Sequence, residues 1–263
     1  YIDYKKNSRV WESFGSRTSY ELNQDYLYLT IRSIIQHCSE DFYIILLDDQ
    51  SFSKLLPEWK INLNKISTPL KDSSINLGLM KLLYKYGGIV IDNSFIIFKS
   101  LLPLYNKIKQ TNKISIGEFN NNSIDAHVIH FMPSIRFIGS LKECQKIKEL
   151  INHYEILISN DYTNSSNLEN SISKWLLLNA ENEDINYIDG KFLGTKDINN
   201  KQITIEMLMS SCFLNLKETS YALYIPRDEL LKRTKYNWFV YLNIKDILDS
   251  KTNIGKYLLL SNN

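Results

Sequence analysis

Glycine and proline are scarce: the 263 residues include only 9 Gly and 5 Pro. No long flexible linker is therefore expected, since such segments are built from those residues. Cysteine is scarcer still. Cys38, Cys144 and Cys212 are odd in number, far apart and without a C-x-x-C pair, which argues against a disulfide framework or a zinc site. Cys38 and Cys144 stand among apolar helical positions and read as small core residues, a usage that favours a reducing compartment. No apolar run approaches the roughly 18 residues of a membrane-spanning helix, and no signal peptide is visible. The chain opens at Tyr1 rather than Met. It reads as a trimmed fragment, with membrane association expected only through a segment absent from it. A strong charge of either sign is also missing: 31 Lys and Arg against 29 Asp and Glu leave +2, so nucleic acid is not an expected partner. After His153 there is no histidine.

What is present is ordinary for a soluble globular protein, with 44% hydrophobic and 23% charged residues. The length suits one large domain over 1–263, after an irregular segment at 1–22. Asn23 is placed to cap a helix from about Asp25, with Leu27, Ile31, Ile34 and Ile35 on one apolar face. "DFYIILLDD" follows. Its continuous apolar run over 42–47 predicts a strand buried on both faces of a parallel sheet, ending at Asp48 and Asp49. A short strand is expected near Ile66. In "DSSINLGLMKLLYKYGG", Ser73 or Ser74 is placed to cap a helix that Gly87 stops. "IVI" and "FIIF" are strand material around Asp92, and "KISIGEF" is a further strand. Leu141, Cys144, Ile147, Ile151, Tyr154 and Ile158 define one amphipathic helix; Leu168, Ile172, Trp175 and Leu176 define another. "YALYIP" predicts a late strand. Alternating helices and buried strands imply an α/β fold with a mostly parallel sheet flanked by helices. Ligands of such sheets bind beyond the carboxyl ends of the strands, where Asp48, Asp49 and Asp92 fall.

A chemistry fits those positions. Transfer of a sugar from a nucleoside diphosphate builds charge on the departing diphosphate, which a carboxylate-held divalent cation neutralises. An acid-x-acid segment at a strand end aims two oxygen ligands at one point, and preceding glycines admit close approach. "LMKLLYKYGGIVIDNSFIIFKSLLPLY" resembles the sugar-binding region of GT-A glycosyltransferases. It is most similar to the initiating mannosyltransferase and capsular polysaccharide synthesis families, through Leu83, Tyr84, Tyr86, Gly87, Gly88, Asp92, Lys99 and Leu101. "YLYLTIRSIIQHCSEDFYIILLDDQSF" resembles the helix and strand upstream, so the clear match spans 26–105. Residues 120–263 look like uncharacterised glycosyltransferase-like proteins of large DNA viruses. The resemblance implies a single GT-A (Rossmann-like) domain that passes a sugar from a nucleoside diphosphate sugar to a glycan or glycoprotein acceptor. The donor would lie across the ends of the 42–47 and 89–91 strands. Asp92 would be the catalytic acid and, with Ser94, the ligand of a Mn or Mg ion. Asp48, Asp49, Gly87, Gly88, Asn93 and Arg233 would line the donor site.

The match has gaps. Where the mannosyltransferase-like families carry Ser-Asp-x-x-Arg, this chain has Ile75, Asn76 and Leu79. The second acid of Asp-x-Asp is Ser94. These losses raise a second reading: a GT-A-like module that has lost transfer activity and serves in a viral or membrane-associated assembly. Each candidate also has a plainer role. Gly87 and Gly88 suffice as a helix stop and turn, Asp92 as a turn residue, and Asp48 or Asp49 as caps of the next segment. "RDELLKRTKYNWF" is either a solvated helix or a basic lid in which Arg227, Lys232, Arg233 or Lys235 meets the diphosphate. Arg9 and Arg17 are further candidates for that role. His127 and His130 would face opposite sides of a strand and not share a metal.

Overall fold

The computed structural model describes residues 1–2, 24–67, 70–121, 130–160 and 165–263. In chain order the first half runs α1 (Asp25–Cys38), α2 (Ser51–Leu55), α3 (Leu70–Tyr86), β1 (Gly88–Ile91), β2 (Phe95–Ile97), α4 (Leu102–Thr111), β3 (Ile114–Asn121) and β4 (His130–Ser140). The second half runs α5 (Gln145–Asn160), α6 (Ser165–Glu181), β5 (Ile185–Ile188), α7 (Gly190–Leu193), α8 (Ile205–Leu208), β6 (Ala222–Tyr224), α9 (Arg227–Lys232), α10 (Ile244–Asp249) and α11 (Asn253–Asn262). The fold is mixed α/β. The chain divides into two compact units interleaved in sequence: unit 1 takes 1–46, 93–101 and 191–263, and unit 2 takes 47–92 and 102–190.

Unit 2 holds a four-stranded sheet in the order β1-β4-β3-β5. The expected mostly parallel sheet is corrected here. β4 is antiparallel to both of its neighbours, and only β3 and β5 pair in parallel. The reason lies in the connections: β4 follows β3 after a stretch too short for a crossover, whereas α5 and α6 separate β4 from β5 and leave room to return in parallel. β1, β3 and β5 nevertheless all run the same way, each being opposed to β4 or parallel to β3. Helices α3, α4 and α6 pack on the sheet, and α5 packs on α3 and α6. α3 starts at Leu70, ahead of the expected caps. Ser73 and Ser74 lie buried within it, beside Ile75, Leu77, Leu79, Met80, Leu82 and Leu83. The strand expected near Ile66 is instead a single turn of 3₁₀ helix at Leu63–Lys65.

Unit 1 is built from helices around a two-stranded antiparallel sheet, β2 with β6. Its core joins Tyr26 and Leu29 of α1, Ile96, Leu223, Phe239 and Leu258. α1 begins where expected, with Gln24 before it rather than a side-chain cap; Asn23 lies outside the described residues. Its buried face is not the expected one. Tyr26, Leu27, Leu29, Thr30 and Ser33 face inward, while Ile31 and Ile34 are half-buried and Ile35 is 44% exposed. The hydroxyls explain the rotation, because β2 needs them. Thr30 Oγ1 donates to the Asn93 carbonyl at 2.6 Å, and the Ile97 amide donates to Ser33 Oγ at 3.0 Å. Ser261 Oγ donates to the Ile97 carbonyl. Buried polar groups so paired hold β2 on α1; left unpaired, each would cost about 1–3 kcal/mol.

The strand expected over 42–47 does not form. The segment carries no ladder, and Tyr43, Ile45 and Leu46 are 101%, 65% and 51% exposed. An apolar run becomes a buried strand only where neighbouring strands and helices cover it, and among the described residues none does.

Candidate functional site

The stretch from α3 to Asp92 folds from local signals. Gly87 has φ +70 and its amide donates to the Leu83 carbonyl at 2.8 Å, closing α3 in the left-handed manner. A Cβ at Gly87 would stand 2.7 Å from the Lys142 amide nitrogen, so the end of β4 comes close only because no side chain intervenes. Gly88, at φ +106, has open space where a Cβ would be. β1 then pairs with β4 from Gly88↔Ser140 to Ile91↔Phe137. The Asp92 amide extends the ladder by donating to the Arg136 carbonyl at 2.9 Å.

The register places further acids at the end where Asp92 lies. Glu118 stands opposite Pro133 on β4, and Gly117 opposite Ile188, the last residue of β5, so Asp189 leaves the sheet beside Glu118. Asp92 and Asp189 thus follow β1 and β5, and Glu118 lies within β3, three strands that run the same way. Glu118 is 7% exposed and its Oε2 accepts the Gly190 amide at 2.9 Å. Tyr187 also hydrogen-bonds to it. Burial first, then the negative charge of Glu118, pushes the Tyr187 phenol far above its usual range, so it stays a proton donor to that carboxylate. Glu118 is therefore committed to the turn into α7, while Asp92 and Asp189 are half-buried. Glu118, Asp189 and Arg136 were missed as site residues in the sequence. The signal for the two acids was the one that marked Asp92: an apolar strand run closed by a carboxylate, in "ISIGE" and "INYID".

The remaining candidates are distributed as follows. Asp48 Oδ1 accepts the Gln50 amide (3.1 Å), the Ser51 amide (2.9 Å) and Ser51 Oγ (2.6 Å), the capping alternative for α2. The Ser51 hydroxyl, then these amides, hold its carboxyl below the usual aspartate range. Asp49 pairs with Lys71 of α3 at 2.9 Å. Asn93 opens unit 1's segment at 8% exposure; its carbonyl accepts Thr30 and its side-chain amide donates to the Tyr1 carbonyl at 3.1 Å. Ser94 is fully buried, and its carbonyl accepts the Ile225 amide at 3.0 Å. Arg233 reaches Glu229 at 2.7 Å and also pairs with Glu206, so two carboxylates hold its guanidinium. Arg227 donates to Gln24 Oε1 at 3.3 Å. Lys232 and Lys235 are exposed. Arg9, Arg17 and His127 lie outside the described residues, and His130 opens β4.

The fit of a divalent metal turns on Asp92 and Ser94. Ser94 has no surface from which to reach an ion shared with Asp92, and among the described residues no three His, Cys, Asp or Glu side chains gather as a metal group. The three cysteines are free, with Cys38 buried, Cys144 half-buried and Cys212 exposed. No described helix is long and apolar enough to cross a membrane. Comparison with protein-family models, curated proteins and solved structures returns no match in any of the three.

Proposed function

We propose that the chain is a GT-A-like glycosyltransferase domain that binds a nucleoside diphosphate sugar at the acid-bearing end of the unit 2 sheet. It passes the sugar to a glycan or glycoprotein acceptor. One observation carries the reading: Asp92 and Asp189 follow the carboxyl ends of β1 and β5, two strands of common direction, the end at which open α/β sheets bind ligands, and Glu118 lies in the second half of β3, which runs the same way. With no strand at 42–47, the donor stays at the end of β1, and β5, across the sheet from it, takes the place of the 42–47 strand. Asp92 meets the sugar hydroxyls, and Asp189 is the second carboxylate able to accept a hydroxyl proton. The test is a thermal-shift titration with UDP- and GDP-sugars, with and without manganese, followed by a hydrolysis assay. A ligand at about 100 times its Kd stabilises by about 2.7 kcal/mol, an easily read shift. The absence of both stabilisation and hydrolysis overturns the reading.

A second reading has its own support. Asn93 and Ser94 are buried in unit 1, while Asp48 and Asp49 are engaged by Ser51 and Lys71. A GT-A-like module without transfer, serving a viral or membrane-associated assembly, is consistent with that arrangement. Donor stabilisation without turnover of the sugar decides for it.

A further inference from the structure

We propose that Arg136, carried by a bulge in β4, is the residue that grips phosphate at this end of the sheet, taking the diphosphate of the donor. The ligand's identity rests on the glycosyltransferase reading; the residue's place rests on the strand geometry. The β3–β4 register steps from Ile116↔Ile138 to Gly117↔Ser134, so the ladder skips Ile135, Arg136 and Phe137. Bulges collect at sheet edges and beside active sites, where they re-aim a side chain or end pairing. This one lies between the two inner strands, β4 and β3, so an edge does not account for it. The same residues keep their pairing to β1 on the other side: Ile91 stands opposite Phe137, and the Asp92 amide donates to the Arg136 carbonyl. The β1 pairing thus sets Arg136 beside Asp92, at a stretch of β4 that the β3 ladder skips.

Phe137 is fully buried and Ser134 Oγ accepts the Arg136 amide at 3.4 Å, so the bulge is fastened on both sides of the arginine. Arg136 itself is half-buried. The chemistry of the site calls for such a group. An end bearing Asp92 and Asp189 repels a diphosphate unless a cation stands there. A guanidinium supplies a charge that does not titrate and a planar fork that matches two phosphate oxygens.

The test uses the full chain and inorganic pyrophosphate, measured by titration calorimetry with and without manganese. Arg136→Ala is expected to weaken pyrophosphate binding by about tenfold or more, and Arg136→Lys by less, because a lysine keeps the charge but loses the fork. In the unaltered protein, pyrophosphate is expected to shield Arg136 from modification by phenylglyoxal, read by mass spectrometry, a measurement that needs no variant to fold. Unchanged affinity in folded Arg136→Ala, no shielding of Arg136, or no pyrophosphate binding by the unaltered chain each overturns the inference. Sugar-nucleotide stabilisation that survives in Arg136→Ala removes this role and leaves the transferase reading. Arg136-dependent pyrophosphate binding without any response to UDP- or GDP-sugars does the reverse.

Discussion

Two short apolar runs, each closed by acids, look alike in the sequence and end up in opposite surroundings. In "ISIGE", Ile114 and Ile116 are fully buried in an inner strand, with β4 on one side and β5 on the other. In "YIILLDD", Tyr43, Ile45 and Leu46 are exposed and no ladder forms. The two runs differ in neighbours rather than in composition. β3 has a partner immediately following it in the chain and another brought back by a helical crossover. The 43–47 run has neither among the described residues. Apolar content makes a segment fit to be a strand; pairing makes it one.

The largest consequence of that contrast is expected at Ile116. Ile116→Ala removes a fully buried side chain between two paired strands and should cost about 2–5 kcal/mol in denaturant unfolding. A loss below about 1 kcal/mol would place β3 outside the cooperative core. Next comes Gly87, the hinge between α3 and the sheet. Gly87→Ala brings together a left-handed backbone and a Cβ pressed on Lys142, so a loss of about 2–4 kcal/mol is expected. Gly88→Ala, strained but facing open space, should cost about half as much, and equal losses would mean that the approach of β4 is not what requires Gly87. The smallest effect belongs to the exposed run. Ile45→Ser should change stability by no more than about 0.5 kcal/mol. A loss comparable to that of Ile116→Ala would show that something covers 43–47 after all and erase the contrast between the runs.

A similar contrast divides the motif around Asp92. The chain passes from unit 2 to unit 1 between Asp92 and Asn93. The acid closes β1 of the mixed sheet, whereas Asn93 and Ser94 belong to the hydrogen-bonded packing of β2 on α1 and against Ile225. Adjacent residues that read as one binding segment in sequence are used for different purposes.

Several features were legible without coordinates, each for a local reason. α3, its stop at Gly87, β1 and the acid after it follow from helical periodicity, a left-handed glycine and an apolar run, all within a few residues. β2, β3, α5, α6 and β6 were found from the same kinds of pattern. That Asp48 caps the start of α2 was not legible, since a cap and a donor ligand draw on the same "DDQSF". Nor was the inward face of α1, because Thr30 and Ser33 are polar on any hydropathy scale and become core residues only when Asn93 and Ile97 bring partners to them.

The sequence by itself determined where α1 begins and α3 stops, which runs are fit for strands, that the class is α/β, and that a carboxylate closes β1. Tertiary structure alone decided that β4 opposes its neighbours, that 43–47 stays outside any ladder, that Asp189 leaves β5 at the same end of the sheet as Asp92 leaves β1, and that Arg136 of β4 stands beside Asp92. The division has a physical cause. Propensity, capping and glycine conformation act over one or two turns of chain, whereas strand direction, register and the satisfaction of buried polar groups depend on residues tens of positions apart.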